Sequence, residues 1–336
     1  MAATLERARP AAAGARRGLA GYLARRIGTF AAVLLAAYTL AFFLLYALPS
    51  DPVALMLERR SGGAGGGTPE QLAALRAAHG LDEPLLTRYF RTLGQFLGGD
   101  LGSSFQSGQP VPELLAAVAP NTLSLAGAGL AIAVPFSLAL ALLTSWRRDS
   151  APHRVLVNVP ALIAAVPAFW LGLLLVQLFS FTLGWVPSTG GEGLAGLALP
   201  AVALALPVSA ALTAVLVRGL DDVQQAPFVE LLRARGLPWR RIYLRHVARN
   251  ALLPFVTLAG LTVGGLLVGT VITETVFARA GLGRLLASAV ETRDAPVVLA
   301  IAVLAGLVFA AVNLLVDLLY PLLDPRLRRQ DGGVPA

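Results

Sequence analysis

The sequence contains no lysine and no cysteine, and only three of its 336 residues are histidine. Without lysine it cannot form the ATP-binding P-loop, in which a lysine reaches the phosphates. Without cysteine it has no disulfide, no thiolate metal site and no thiol nucleophile. His79, His153 and His246 are far apart and lack metal-ligand spacing. We therefore expect a chain that is not an enzyme and has no cofactor or metal site. If ATP drives it, another polypeptide binds the ATP.

Charged residues are also scarce, whereas apolar residues are abundant. Only 14% of the residues are charged and 56% are hydrophobic, compared with roughly 25% charged in soluble domains. The net charge of +8 could indicate nucleic-acid binding, but the arginines flank apolar runs rather than forming one patch. This composition predicts an all-α polytopic membrane protein that meets lipids and no nucleic acid.

Six apolar runs are long enough to cross the bilayer core, which takes about 20 helical residues. Because backbone groups in lipid must be paired within the protein, we expect each run to be a helix. The third run contains Pro160 and Pro167, which should kink it or mark its start. The predicted spans are Ile27–Leu48, Thr122–Ser145, Val155–Leu183, Leu197–Val217, Ala251–Thr273 and Val297–Leu322.

Arginine distribution predicts that both termini are cytoplasmic. The segments on that side would carry nineteen arginines and the opposite segments eight. The predicted organisation is a basic tail 1–26, a transmembrane domain 27–322 and a tail 323–336. The domain contains an external loop 49–121 and a cytoplasmic loop 218–250. The first run could instead be a secretory signal, but it is about 22 residues long and lacks a small-x-small cleavage site, which favours an uncleaved span.

The external loop has structure of its own. A glycine-rich hinge at 61–67 is followed by a predicted helix at 70–78 and an amphipathic helix at 85–97. In the second helix Leu86, Phe90, Leu93 and Leu97 lie at helical spacing. This helix is either a connector on the membrane surface or a surface that meets a soluble partner, and the spacing favours neither.

The cytoplasmic loop predicts a helix-turn-helix. Residues 230–235 form the first helix, Gly236 suits the left-handed position that closes it, and Pro238 suits the first turn of the second. In the second helix an apolar face consists of Trp239, Ile242, Tyr243 and His246. This face needs burial, which either a groove of a partner protein or the lipid headgroup region could supply.

Some polar and small residues lie within or beside the spans. Glu274, at the end of the fifth run, is explained by capping of the segment 275–295. Asn313 and Asp317 share one face of the sixth run, where they form either an interhelical hydrogen bond or the proton relay of a carrier. The fifth run also has two small-xxx-small pairs, which allow close helix approach: Gly260 with Gly264, and Gly265 with Gly269.

Two motifs of the cytoplasmic loop resemble those of bacterial ABC-importer permeases. Residues 230–236, ELLRARG, are similar to their EAA loop in the spacing of Glu and Gly. Leu231 and Leu232 stand where the family has alanine. Residues 245–254, RHVARNALLP, resemble the corresponding tail of the dipeptide/oligopeptide/nickel branch.

Other stretches resemble the same branch. They are YLARR at 22–26, LPSDP at 48–52, GLDEPL at 80–85, GDLGSS at 99–104, ETVFARAGLG at 274–283 with Ala280 in place of proline, and NLLVDLLY at 313–320 followed by LDPR at 323–326. Together the matches extend from about residue 22 to residue 329.

The resemblance implies a type I ABC-importer transmembrane domain of six helices in the bacterial cytoplasmic membrane. Its partners would be a second homologous permease, two ATPase subunits that bind ATP and Mg, and an extracytoplasmic substrate-binding protein. The implied cargo is a dipeptide or oligopeptide; a nickel or other small-solute permease is the first alternative, and a proton-coupled carrier using Asp317 the second. The residues implied in ATPase coupling are Glu230, Leu231, Leu232, Ala234, Gly236, Trp239 and His246. Possible pore or packing residues are Gly260, Gly264, Gly265, Gly269, Asn313 and Asp317.

Overall fold

The computed structural model describes residues 11–47, 68–78, 80, 82–146, 150–187 and 193–323. The hinge predicted at 61–67, His79 and the side chain of Asp317 lie outside the described residues. In chain order the helices are α1 (Ala11–Ala47), α2 (Pro69–Ala78), α3 (Leu85–Leu97), α4 (Val111–Ser145), α5 (Ala151–Leu156), α6 (Val159–Ala165), α7 (Ala168–Leu175), α8 (Gly193–Gln224), α9 (Pro227–Ala234), α10 (Trp239–Ile242), α11 (Ala248–Val276), α12 (Leu282–Glu291) and α13 (Ala295–Leu323). Within this part of the chain the β structure is limited to one isolated bridge, between Ser103 and Pro110. The all-α prediction is confirmed.

Five of the described helices are long and apolar enough to cross a membrane: α1, α4, α8, α13, and α11 together with the helical turns that precede it. The third predicted run is a bent pair, in which His153–Ala165 and Ala168–Thr182 meet at 101°. The bend lies at Val166, whose backbone is extended (φ −89°, ψ 123°) because the following Pro167 disfavours the α conformation. The predicted kink is confirmed, and the bent pair makes the sixth span if it is counted as one.

Several boundaries differ from the predictions. Helix α1 begins at Ala11 rather than Ile27, and α8 extends over Gly193–Gln224 rather than Leu197–Val217. Helix α4 begins at Val111 rather than Thr122, so the end of the predicted external loop is helical. The second arm of the predicted helix-turn-helix is not a separate helix, because α10 continues through a π-helical stretch, Tyr243–Val247, directly into α11. Neither glycine nor proline occurs between Trp239 and Leu253, so nothing in the local sequence ends the helix there.

Helix α8 lies at the centre of the bundle, packed between α4 and α11, and it is the most buried of the spans. Helices α1 and α13 pack on each other, and α13 also packs against α11. Helices α4 and α11 also contact each other, and both reach from the 227–247 segment to the 274–294 segment.

Candidate functional site

The first candidate site is the segment 227–247, which we call the elbow. Gly236 closes α9 with a left-handed backbone (φ 77°), as predicted. The amide of Gly236 donates to Arg233 O at 2.9 Å and that of Leu237 donates to Leu232 O at 3.2 Å, the two bonds of a Schellman motif. Pro238 then occupies the cap position before α10. The elbow is therefore a tightly hydrogen-bonded turn between two helices.

Substitution of Gly236 should separate backbone strain from loss of the turn. No atom lies within 4 Å of a Cβ placed there, so Gly236→Ala has only the left-handed backbone to oppose it, at a cost of roughly 1–2 kcal/mol. Gly236→Pro cannot adopt this φ and also loses the bond to Arg233 O. We expect thermal unfolding of the purified protein to show a small loss of stability for the alanine variant and a larger one for the proline variant. Equal losses would contradict this account of the turn.

The inward face of the elbow is buried within the chain. Val229, Ile242, Tyr243 and Val247 are fully buried in the largest apolar cluster, together with residues of α4, α8 and α11. The expectation that Ile242 and Tyr243 need burial from outside the chain, by a partner's groove or by lipid headgroups, is therefore wrong. Periodicity identified this face as apolar, but it could not indicate that the end of α4 covers it.

The elbow and its neighbours bind the terminal carbonyls of α4. The last carbonyls of a helix have no partner within the helix and must find one elsewhere. Here side chains from other segments supply partners: Tyr243 OH to Leu142 O at 2.9 Å, His153 Nδ1 to Thr144 O at 2.9 Å, Gln224 Nε2 to Ser145 O at 2.9 Å and Trp239 Nε1 to Trp146 O at 3.0 Å. The elbow is thus attached to the end of α4 by directional bonds as well as apolar contact.

Aromatic contacts fix the same attachment. The rings of Trp146 and Tyr243 meet edge to face with centroids 5.0 Å apart, and those of Trp239 and Tyr243 lie 5.7 Å apart. The guanidinium of Arg233 lies 4.6 Å above the Trp239 ring. Trp239, which the resemblance implied in coupling, is therefore half-buried between the two helices of the elbow.

The opposite face of the elbow is exposed. Leu231 is 54% exposed and Phe228 39% exposed, whereas Leu232 is half-buried and packs on the apolar cluster. Glu230 and Ala234 are exposed and His246 is half-buried. Five arginines of the elbow are also exposed: Arg233, Arg235, Arg240, Arg241 and Arg245. Of the two leucines that replace alanine, Leu231 faces outward and Leu232 faces the protein.

The second candidate site lies at the other end of α4 and α11, and we call its residues 102–106, 122 and 274–294 the junction. Glu274 is fully buried. Its carboxylate accepts from Thr122 Oγ1 at 2.6 Å, from the amide of Gly283 at 2.7 Å and from that of Arg284 at 3.1 Å. The amide of Leu282 donates to Thr122 Oγ1 at 2.8 Å. The prediction that Glu274 caps the following segment is confirmed, since it satisfies the free amides at the start of α12.

This cap explains the glycines of the motif at 274–283. A Cβ on Gly281 would collide with the Glu274 carboxylate, and one on Gly283 would collide with the backbone of Val271. The backbone of α12 can approach the carboxylate only because both positions lack a side chain.

Within the junction, Asp294 joins the 274–294 segment to the 102–106 segment that precedes α4. Its carboxylate is buried and accepts from the hydroxyl of Ser104 and, at 3.0 Å, from the amide of Phe105. Gln106 Nε2 also donates to Thr292 O at 3.2 Å. Two segments that are almost 190 residues apart in the chain, at 104–106 and 292–294, are thereby held together.

Helix α3 packs on α1 beside the junction. Tyr38 OH donates to Thr92 Oγ1 at 2.7 Å, and Leu93 packs inward among the aromatic rings. Leu86, Phe90 and Leu97 are exposed. An exposed apolar stripe fits both a membrane-surface connector and a partner surface, so these alternatives stay predictions.

Comparison with known proteins identifies this architecture. Residues 133–329 match the family described as "Binding-protein-dependent transport system inner membrane component", and residues 19–126 match its N-terminal companion. The chain belongs to this family of permeases. The permease is 35% identical over 307 residues to a glutathione transport system permease protein, GsiC, of Pectobacterium atrosepticum, covering 91% of the chain and 98% of the relative. It is 34% identical over 312 residues to a putative peptide transport system permease protein of Brucella abortus, covering 90% and 98%.

The permease is therefore a membrane component of an ABC transport system and not an enzyme.

The predicted pore or packing residues have different surroundings in the structure. A Cβ on Gly264 would collide with the Phe309 ring of α13, and one on Gly269 would lie 2.8 Å from Leu204 of α8, so both glycines allow packing. Gly265 has no atom within 4 Å of its Cβ position. Gly260 and Asn313 are half-buried.

The permease also contains functional candidates that the sequence did not reveal. His153 and Gln224, two of the donors that cap α4, lie in separate segments, and their pairing with α4 depends on the fold. Asp294 carried a usable signal, because an acidic residue directly before Ala295-Pro296 is typical of a helix start. That signal does not predict its bond to Ser104.

Proposed function

We propose that this permease imports short peptides across the bacterial cytoplasmic membrane as one subunit of a complete ABC importer. Its relatives of almost equal length are named as peptide and glutathione transport permeases, which supports a peptide-like cargo. A second homologous permease, two ATPase subunits holding ATP and Mg, and an extracytoplasmic binding protein complete the transporter. Both termini and the elbow lie in the cytosol, as the arginine excess favours.

The exposed face of the elbow docks on an ATPase subunit. This assignment is carried by Leu231 and Phe228, which the chain leaves exposed although it buries their neighbour Val229 fully and Leu232 in part. Exposed apolar residues in a segment that also exposes arginines fit a cleft with apolar walls and an acidic edge.

The junction and α3 face the binding protein on the opposite side. The bonds of Glu274 and Asp294 hold this surface in one conformation. Because the surface is already ordered, docking of a partner costs little conformational entropy. ATP and the loaded binding protein then favour the same outward-facing state, and ATP hydrolysis returns the pore inward.

One face of α11 suits the seam with the second permease. Leu261, Gly265, Val268 and Ile272 are exposed at helical spacing, and Val268 is 71% exposed. The pore lies along this face, where Gly265 leaves space beside the helix.

Uptake into proteoliposomes containing the whole transporter tests the proposed function. We expect uptake of labelled dipeptide, oligopeptide or glutathione that requires ATP and the binding protein. Uptake of nickel alone would replace the peptide assignment with the nickel alternative. Proton-driven uptake in the absence of ATPase subunits, abolished by Asp317→Asn, would overturn the ABC mechanism in favour of a carrier.

A further inference from the structure

Helices α4 and α11 are connected to each other at both of their ends. Helix α4 has 35 residues and is therefore about 50 Å long, enough to extend beyond the bilayer core. Helix α11 is continuous with the elbow and ends two residues after Glu274. The two helices thus run from one candidate site to the other.

At the elbow end the connection consists of polar bonds to the terminus of α4. Tyr243, at the start of the π-helical stretch, donates to Leu142 O, and Trp239 donates to Trp146 O. Tyr243 is fully buried, so separating it from α4 would leave a hydroxyl and a carbonyl without partners away from water. A displacement of the elbow therefore takes the end of α4 with it.

At the junction end the connection is the bond from Thr122 on α4 to Glu274 on α11, 2.6 Å long and fully buried. A hydrogen bond to an ionised carboxylate is stronger than a neutral one. The same carboxylate holds the start of α12, so movement of the α4–α11 pair also moves the junction.

We propose that α4 and α11 form a cross-tied pair that moves as one rigid unit and conveys displacement of the elbow to the junction. Tyr243 and Thr122 are its positioning residues, one at each end. The proposal rests on the proposed function and adds the route by which the ATPase and the binding protein sense each other. Because coupling between two sites is reciprocal, the same pair carries the signal from binding protein to ATPase.

The test measures how strongly the loaded binding protein stimulates ATP hydrolysis by the complete transporter in proteoliposomes. Tyr243→Phe breaks the elbow tie and Thr122→Val the junction tie. Each should lower the ratio of stimulated to basal hydrolysis by a factor of about 2–10. If both ties serve one rigid pair, breaking the second tie should add little. The stimulation ratio of the double variant should then be only slightly below that of the single variant with the lower ratio. Thr262→Val is the matched control, because its hydroxyl bonds only the nearby carbonyl of Ala259 in α11.

Unchanged stimulation in both single variants, or effects that multiply in the double variant, would overturn the proposal and leave the proposed function intact. Absence of stimulation in the wild-type transporter would instead contradict the proposed function.

A second measurement applies even if a variant assembles poorly. The chain has no cysteine, so single cysteines that carry spin labels can replace the exposed Leu123, which adjoins the junction tie at Thr122, and the exposed Leu143, near the end of α4. Distances are measured from each to a label at the exposed Leu307 on α13. ATP should change both distances together, whereas a change at only one end would exclude a rigid pair.

Discussion

Leu231→Asp should abolish peptide uptake while the permease still folds and inserts. Leu231 is 54% exposed on the elbow, so the new carboxylate remains in water in the isolated chain. On docking it would be buried against the ATPase. An unpaired carboxylate buried in an apolar interface costs about 3–5 kcal/mol, which weakens docking roughly 100-fold or more. The measurement is co-purification of the ATPase subunits with the tagged permease, followed by ATP-dependent uptake.

Two other variants interpret this result. Leu231→Ala restores the residue that related permeases carry and should retain most of the uptake, which separates the effect of charge from that of side-chain size. Leu232→Asp should instead lower the amount of folded protein, because Leu232 packs on the internal cluster and an unpaired buried charge is costly. Normal ATPase binding by Leu231→Asp would refute the docking assignment.

Glu274→Ala should destabilise the permease severely. The carboxylate accepts from Thr122 and from the amides of Gly283 and Arg284 in a fully buried setting. Each donor left without an acceptor costs about 1–3 kcal/mol, so the loss should reach at least about 3 kcal/mol. We expect much less folded protein in the membrane and a lower unfolding temperature in detergent.

Glu291→Ala is the matched control for this effect, because Glu291 is an exposed acid at the end of the same helix, α12. It should keep normal abundance and stability. Equal stability of the Glu274 and Glu291 variants would show that the buried cap does not hold the junction. Glu274→Gln should be intermediate, because one oxygen can still accept while the amide nitrogen cannot.

Much of the fold could be predicted from single segments. Apolar runs located the membrane helices, and Pro167, which disfavours the α conformation at the residue before it, placed the bend. Gly236 and Glu274 were also interpreted correctly, because a left-handed helix end and a helix cap are local features. The start of α4 was misplaced, because its first turns lie outside the apolar run and hydropathy does not reveal them.

The candidate site was predicted less completely. The sequence located the elbow but left Ile242 and Tyr243 to be covered by a partner or by lipid headgroups, although both are buried in this chain. The two leucines that replace alanine looked equivalent, yet only Leu231 is exposed. Neighbouring residues on a helix point in different directions. Which of them is covered depends on the segments packed against the helix, and these cannot be identified from the local sequence.

By itself, the sequence determined the class of this protein. The lack of lysine and cysteine excluded a P-loop and thiol chemistry, the apolar runs required membrane helices, and the motifs indicated the permease family, which the comparisons confirmed. Only the tertiary structure decided which elbow residues are buried and how α4 and α11 are tied at both ends. Hydropathy and helix caps depend on neighbours in the chain, whereas these ties join residues more than 100 positions apart.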